Sequence, residues 1–224
     1  MLSEKHEKVR MSCEMYEVGR LSPTLCVSHM SHGENVGQYD LHLLHNDGNQ
    51  LFQIQNQILK KVTIMNIFYL GNPQTSAQEL CDKHVVKMIT ESAQMLCAAH
   101  WCKADTLEKV QMLKAAGLFK PAHISHPSTI WTRETNEQYL WHYELYVEMC
   151  KEYTRRYGKI HGSSKFIGVL DKPPEDLGTG WREPPQCMPD EYKCEDTIQA
   201  YRNYYIAEKK HFAKYKLGGR PEWL

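Results

Sequence analysis

The stretch Glu79–Leu96, ELCDKHVVKMITESAQML, constrains the chain more than any other part of it. Ser76 followed by Glu79 is the S-x-x-E spelling of a capping box, in which a hydroxyl and a carboxylate each satisfy a backbone N–H that the first helical turn leaves unpaired. The sequence therefore predicts a helix starting there and running through good helix formers to about Ala99. At about 100° per residue, Lys83, His84, Lys87, Thr90, Glu91 and Gln94 share one polar stripe, while Val85, Val86, Met88, Ile89, Ala93, Met95, Leu96 and Cys97 cover the rest. Such a helix must be wrapped by neighbours over more than half its circumference.

The stripe then has two readings, a solvated edge or one wall of a cleft. Its composition suits the cleft. An imidazole, an ammonium and a carboxylate at i, i+3 and i+7 can meet around one ligand, supplying a proton carrier, an amine and a stabilising anion.

The run Glu79-Leu80-x-Asp82-x-His84, with Glu91 seven residues beyond the histidine, resembles the first helix of the phage pyrimidine-dimer DNA glycosylases of the endonuclease V type. The fuller spelling Cys81-Asp82-Lys83-His84-x-x-Lys87-Met88-x-x-Glu91 is similar to related phage and bacterial proteins, and a weaker likeness lies in the aromatic, basic C-terminus. The resemblance implies that Glu91 is catalytic. It also implies an N-terminal α-amine as nucleophile, which lies near the site only if the chain begins at Met65; Asn66 then joins Glu91, His84 and Lys87 in the expected catalytic set. The family has arginines around its glutamate where this chain has Lys87 and Thr90, so pyrimidine-dimer specificity does not carry over.

Residues 1–64 differ in character from the rest of the chain. All five Trp and nine of the ten Pro lie beyond Met65, and the leader carries His6, His29, His32, His42 and His45 in a weakly periodic context. Two expectations stay open: a poorly packed extension, or upstream sequence ahead of a natural start at Met65. The second domain, 65–224, is expected to carry the function.

From Ile64 to Leu70 the run reads as a short strand or extended arm, closed by Gly71-Asn72-Pro73. After the first helix, Asp105 and Glu108 open a shorter one to Ala116, stopped by Gly117. The loop Lys120–Pro127 holds His123 and His126; Ser128 then caps the longest helix, which runs to Gly158 with an aromatic face that suits a core. Residues 162–170 make a short helix, and 171–193, with five Pro, an irregular crossing in which Trp181 docks on the core. Asp196 or Thr197 opens the last helix, with Lys209, Lys210, Lys214 and Lys216 as its basic side. The expected fold is all-α, a bundle of about five helices with a Pro-rich crossing loop.

Lys plus Arg equals Asp plus Glu at 27 each, so any nucleic-acid surface has to be a local patch. Eight Cys without a C-x-x-C pair or a secretory leader read as reduced thiols of a cytoplasmic protein, and no apolar run reaches the ~20 residues of a membrane span. No metal or cofactor is expected, and no P-loop or dinucleotide fingerprint occurs.

The reaction the resemblance implies is excision of a damaged or modified pyrimidine from double-stranded DNA by a monomer; a hypermodified phage base is included, which would suit antiviral defence. Glu91 would stabilise positive charge on the sugar, with His84 or Lys87 serving the departing base. Lys83, His126, Trp131, Arg133, Arg155, Arg156 and Lys159 are the expected DNA contacts, Trp131 and His126 as pocket walls and the cations on phosphate. Two rivals remain: an enzyme of free nucleotides or nucleosides, and a helical binding protein without chemistry.

Overall fold

The computed structural model describes residues 65–224, and the expectations for residues 1–64 lie outside it. Residues 65–69 form no regular element; 65–68 are buried and Tyr69 is half-buried. Asn72 then caps α1 (Pro73–Glu79), its side chain accepting from Thr75 N at 2.8 Å, with Pro73 at the first helical position where no N–H is needed. Five further helices continue the chain: α2 (Asp82–Lys103), α3 (Leu107–Ala115), α4 (Pro127–Thr132), α5 (Asn136–Tyr157) and α6 (Thr197–Glu208). Short 3-10 turns occupy Gly162–Phe166 and Asp190–Tyr192. Among the described residues there is no strand, so the architecture is all-α.

The predicted single helix from Ser76 onward is two helices. Ser76 does not cap; it sits inside α1, where its Oγ accepts from Leu70 N and donates to Gly71 O. The break at Leu80–Cys81 is held from afar. Arg156 donates to the carbonyls of Gln78 and Leu80 at 2.8 Å each, the last acceptors of α1, and Tyr205 OH accepts from Cys81 N at 2.8 Å. The predicted helix from Ser128 to Tyr157 divides likewise, because His126 caps α4 through Nδ1 and Thr135 caps α5 through Oγ1. Gly158, at φ 63°, then ends α5 in the left-handed conformation that costs glycine least.

α2 packs against α4 and α5, and α1 against α5. Their shared core holds Ile89, Met95, Leu96, Trp131, Tyr139, Tyr146, Tyr201 and Tyr205, all fully buried. The Pro-rich crossing is anchored on the α4–α5 junction: Gly178 N donates to Glu134 O at 2.8 Å and Asn136 N to Gly178 O at 2.9 Å. Trp181 lies edge-on against Trp131 and stays half exposed.

Candidate active site

Glu91 lies in the middle of α2 and is 6% exposed. One carboxylate oxygen, Oε1, sits 2.8 Å from Lys87 Nζ, one turn earlier. The other, Oε2, is buried with no hydrogen-bond partner. A buried acceptor left unpaired destabilises the fold by roughly 1–3 kcal/mol, and few are tolerated in native structures. The Lys87 side chain is 55% exposed, so its ion pair does little to offset that.

One flank of the polar stripe is the segment after α5, where Ser163 Oγ lies 3.1 Å from Thr90 Oγ1. The other flank is α6 and the chain beyond it, where Tyr205 and Phe212 pack edge-on against His84. Asp82 ties down that second flank: its N–H donates to Lys214 O and its Oδ2 accepts from Lys216 N, both at 2.9 Å. Lys83 extends its ammonium over the Phe212 ring at 5.2 Å, and Lys209 over Tyr204 at 4.5 Å. In a chain of zero net charge, Lys83, Lys87 and Lys209 are thus gathered around one helical face.

His84 is buried, stacked on Phe68 at 4.6 Å, with Nδ1 2.9 Å from Tyr205 OH. Burial, then the charges of Lys209, Lys87 and Lys83, push its pKa down to about 3. The expected proton donor is therefore a neutral ring at physiological pH, and the structure gives it a packing role. Asn66 is likewise committed: Nδ2 donates to Cys187 O at 2.9 Å and Oδ1 accepts from Tyr201 OH at 2.7 Å.

The expected DNA contacts separate. Trp131 is fully buried, with Nε1 donating to Arg182 O at 2.9 Å, and cannot wall a pocket for an extruded base. Arg156 is buried among Glu152, Asp82 and the α1 carbonyls, so it tracks no phosphate. His126 spends Nδ1 on capping α4, and Arg133 is held by Ile124 O at 2.7 Å. Lys83, Arg155 and Lys159 remain exposed, Arg155 paired with Glu152. The lysines on the chain beyond α6 were legible as a basic run; only the fold brings them to α2.

Residues 65–166 match the family model described as pyrimidine dimer DNA glycosylase. The match runs from Met65 through α5 and the first 3-10 turn, and so includes Glu91 and Lys87 while α6 and the basic segment beyond it lie outside. It agrees with the resemblance carried by Glu79–Glu91 and supports DNA glycosylase activity in general terms for this region. Comparison with curated proteins and with solved structures gave no match. No helix among the described residues is long and apolar enough to cross a membrane.

Proposed function

We propose that this protein excises a damaged or modified pyrimidine from duplex DNA, leaving an abasic site, with Glu91 as the catalytic carboxylate. The observation that carries the reading is the unpartnered Oε2 of Glu91, buried inside the glycosylase-like region. Breaking an N-glycosidic bond develops positive charge on the sugar, and a carboxylate fixed in a low-dielectric setting stabilises that charge far better than one in water. Lys87 holds the other oxygen, which orients the carboxylate along α2. Its amine is also the nearest group able to trap the opened sugar as an imine, the step that would lead on to strand cleavage.

The target base has to leave the stack, and the duplex has to be gripped by its phosphates meanwhile. Lys83 and Lys209, which lie on the same side of α2 as His84, are the cations proposed to take those phosphates. Bulky modified pyrimidines of phage DNA belong to the proposed substrates, which would give the enzyme a defence role.

The test is incubation with plain, ultraviolet-treated and phage-modified duplexes, scored for abasic sites and released base. Glu91→Gln keeps the shape and removes the charge, and should lower excision by about 10²–10³-fold. Excision by the variant at the parental rate would refute the assignment.

A further inference from the structure

Beside Glu91 lies a chain of hydrogen bonds that the proposed reaction does not use. Ser92 Oγ is 3.0 Å from His142 Nε2, His142 Nδ1 is 2.8 Å from Thr132 Oγ1, and Thr132 Oγ1 donates to Ser128 O at 2.8 Å. All three side chains are buried, Ser92 at 2% exposure and the other two at 0%.

The proton positions can be assigned by counting. Thr132 has one hydroxyl proton, and Ser128 O takes it, so Thr132 Oγ1 accepts from His142 Nδ1–H. His142 is neutral, since burial pushes its pKa down to about 3, and its Nε2 is therefore a bare acceptor. Ser92 must donate to it. Every group in the chain is then satisfied, and α2, α4 and α5 are linked through one imidazole.

Such a link matters on α2 because the helix is apolar over most of its circumference. Apolar burial by itself is weakly directional there, so buried polar contacts add a directional constraint on rotation about the axis. His84 and His100 also bond to tyrosines, but they lie seven and nine residues from Glu91, about 10 and 14 Å along the axis. Thr90 is adjacent, yet its contact with Ser163 is only partly buried, where water can replace it. Ser92 is adjacent and dry.

We propose that His142, acting through Ser92, is a positioning residue that fixes the rotation of α2 and with it the aim of the Glu91 carboxylate; this rests on the base-excision reading above. A carboxylate about 6 Å from the helix axis moves by ~2 Å when the helix turns ~20°. Misplacement by about 1 Å is enough to slow an oriented reaction ~10²-fold.

The test pairs Ser92→Ala/His142→Leu with Ser92→Ala alone and with Glu91→Gln, measuring folding, DNA dissociation constant and single-turnover excision rate for each. Removing both leaves no unpaired donor, and the Thr132 hydroxyl still donates to Ser128 O, so the double variant should fold. Its excision should fall at least ~10-fold with the dissociation constant within ~2-fold of the parent. Ser92→Thr, which keeps the hydroxyl, should restore most of the rate that Ser92→Ala loses. Parental excision by the folded double variant, or by Ser92→Ala if the double does not fold, overturns the proposal. So does a rate that falls only in proportion to the unfolded fraction, or a loss confined to DNA binding. If Glu91→Gln also excises at the parental rate, the catalytic assignment of Glu91 fails as well, and if the parent releases no base the base-excision reading itself fails; if Glu91→Gln is inactive while the Ser92 variants are not, the positioning role alone fails.

Discussion

Replacing Arg156 with leucine separates a structural guanidinium from a DNA contact. The side chain is fully buried and spends Nε on Glu152, Nη1 on Leu80 O and Asp82 Oδ1, and Nη2 on Gln78 O. Four of its five N–H groups are placed, so leucine would orphan two carbonyls at the end of α1 and loosen the Asp82 anchor that holds the chain beyond α6. Removing one side of a buried ion pair costs about 3–5 kcal/mol, and in a domain of this size that lowers Tm by ~6–20 °C. Arg155→Leu removes a half-exposed partner from the buried Glu152 carboxylate, which still keeps Arg156, and should cost less than Arg156→Leu. Gly218 offers an independent check. A Cβ there would stand 2.6 Å from Arg156 Nε and closer still to Cζ, and the guanidinium is bonded too firmly to give way. Gly218→Ala should therefore destabilise, and less so in the Arg156→Leu background. Urea denaturation followed by circular dichroism measures all four. An Arg156→Leu protein within ~1 kcal/mol of the parent, or one that keeps its stability and loses DNA affinity, would refute the structural assignment.

The same contacts set other outcomes. Lys83→Gln and Lys209→Gln should each flatten the slope of log affinity against log salt by about 0.9, which a filter-binding titration reads, with melting unchanged. Glu91→Met removes the orphan oxygen and should raise stability by about 1 kcal/mol in urea while abolishing excision, the trade expected of a strained functional group. Stability should fall as pH drops below about 6.5. His84, His100 and His142 have folded pKa values pushed by burial to about 3, 4 and 3, so between those values and the ordinary histidine pKa only the unfolded chain takes up these protons. Stability therefore rises with pH through that window, by up to ~4 kcal/mol per unit for three protons, and denaturation midpoints across the pH range would show it. Glu152 acts in the same direction at lower pH. Burial would raise it, but hydrogen bonds from Arg155 and Arg156 outweigh burial and hold it low, so its share is lost as pH falls through the folded value.

What could be read from the sequence alone was local. Periodicity marked α2 as a helix covered over more than half its circumference, Gly158 marked the end of α5, Asp196 the start of α6, and the Glu79–Glu91 spelling pointed to the family model that residues 65–166 match. Each of these depends on residues within a few positions of one another, where backbone sterics and capping act without help from the fold. What only the tertiary structure decided was which polar groups meet. Arg156 and Arg155 are neighbours in one helix turn, yet one is sealed among α1 carbonyls and the other faces water, because a difference of about 100° around α5 carries them to opposite environments. His84 and Glu91 share a stripe, but Tyr205, 121 residues beyond His84, claims the imidazole while one oxygen of the carboxylate is left without a partner. A side chain's chemistry depends on the groups that desolvate and bond it, and here those groups come from chain segments 76 to 121 residues away, beyond the reach of any spacing rule.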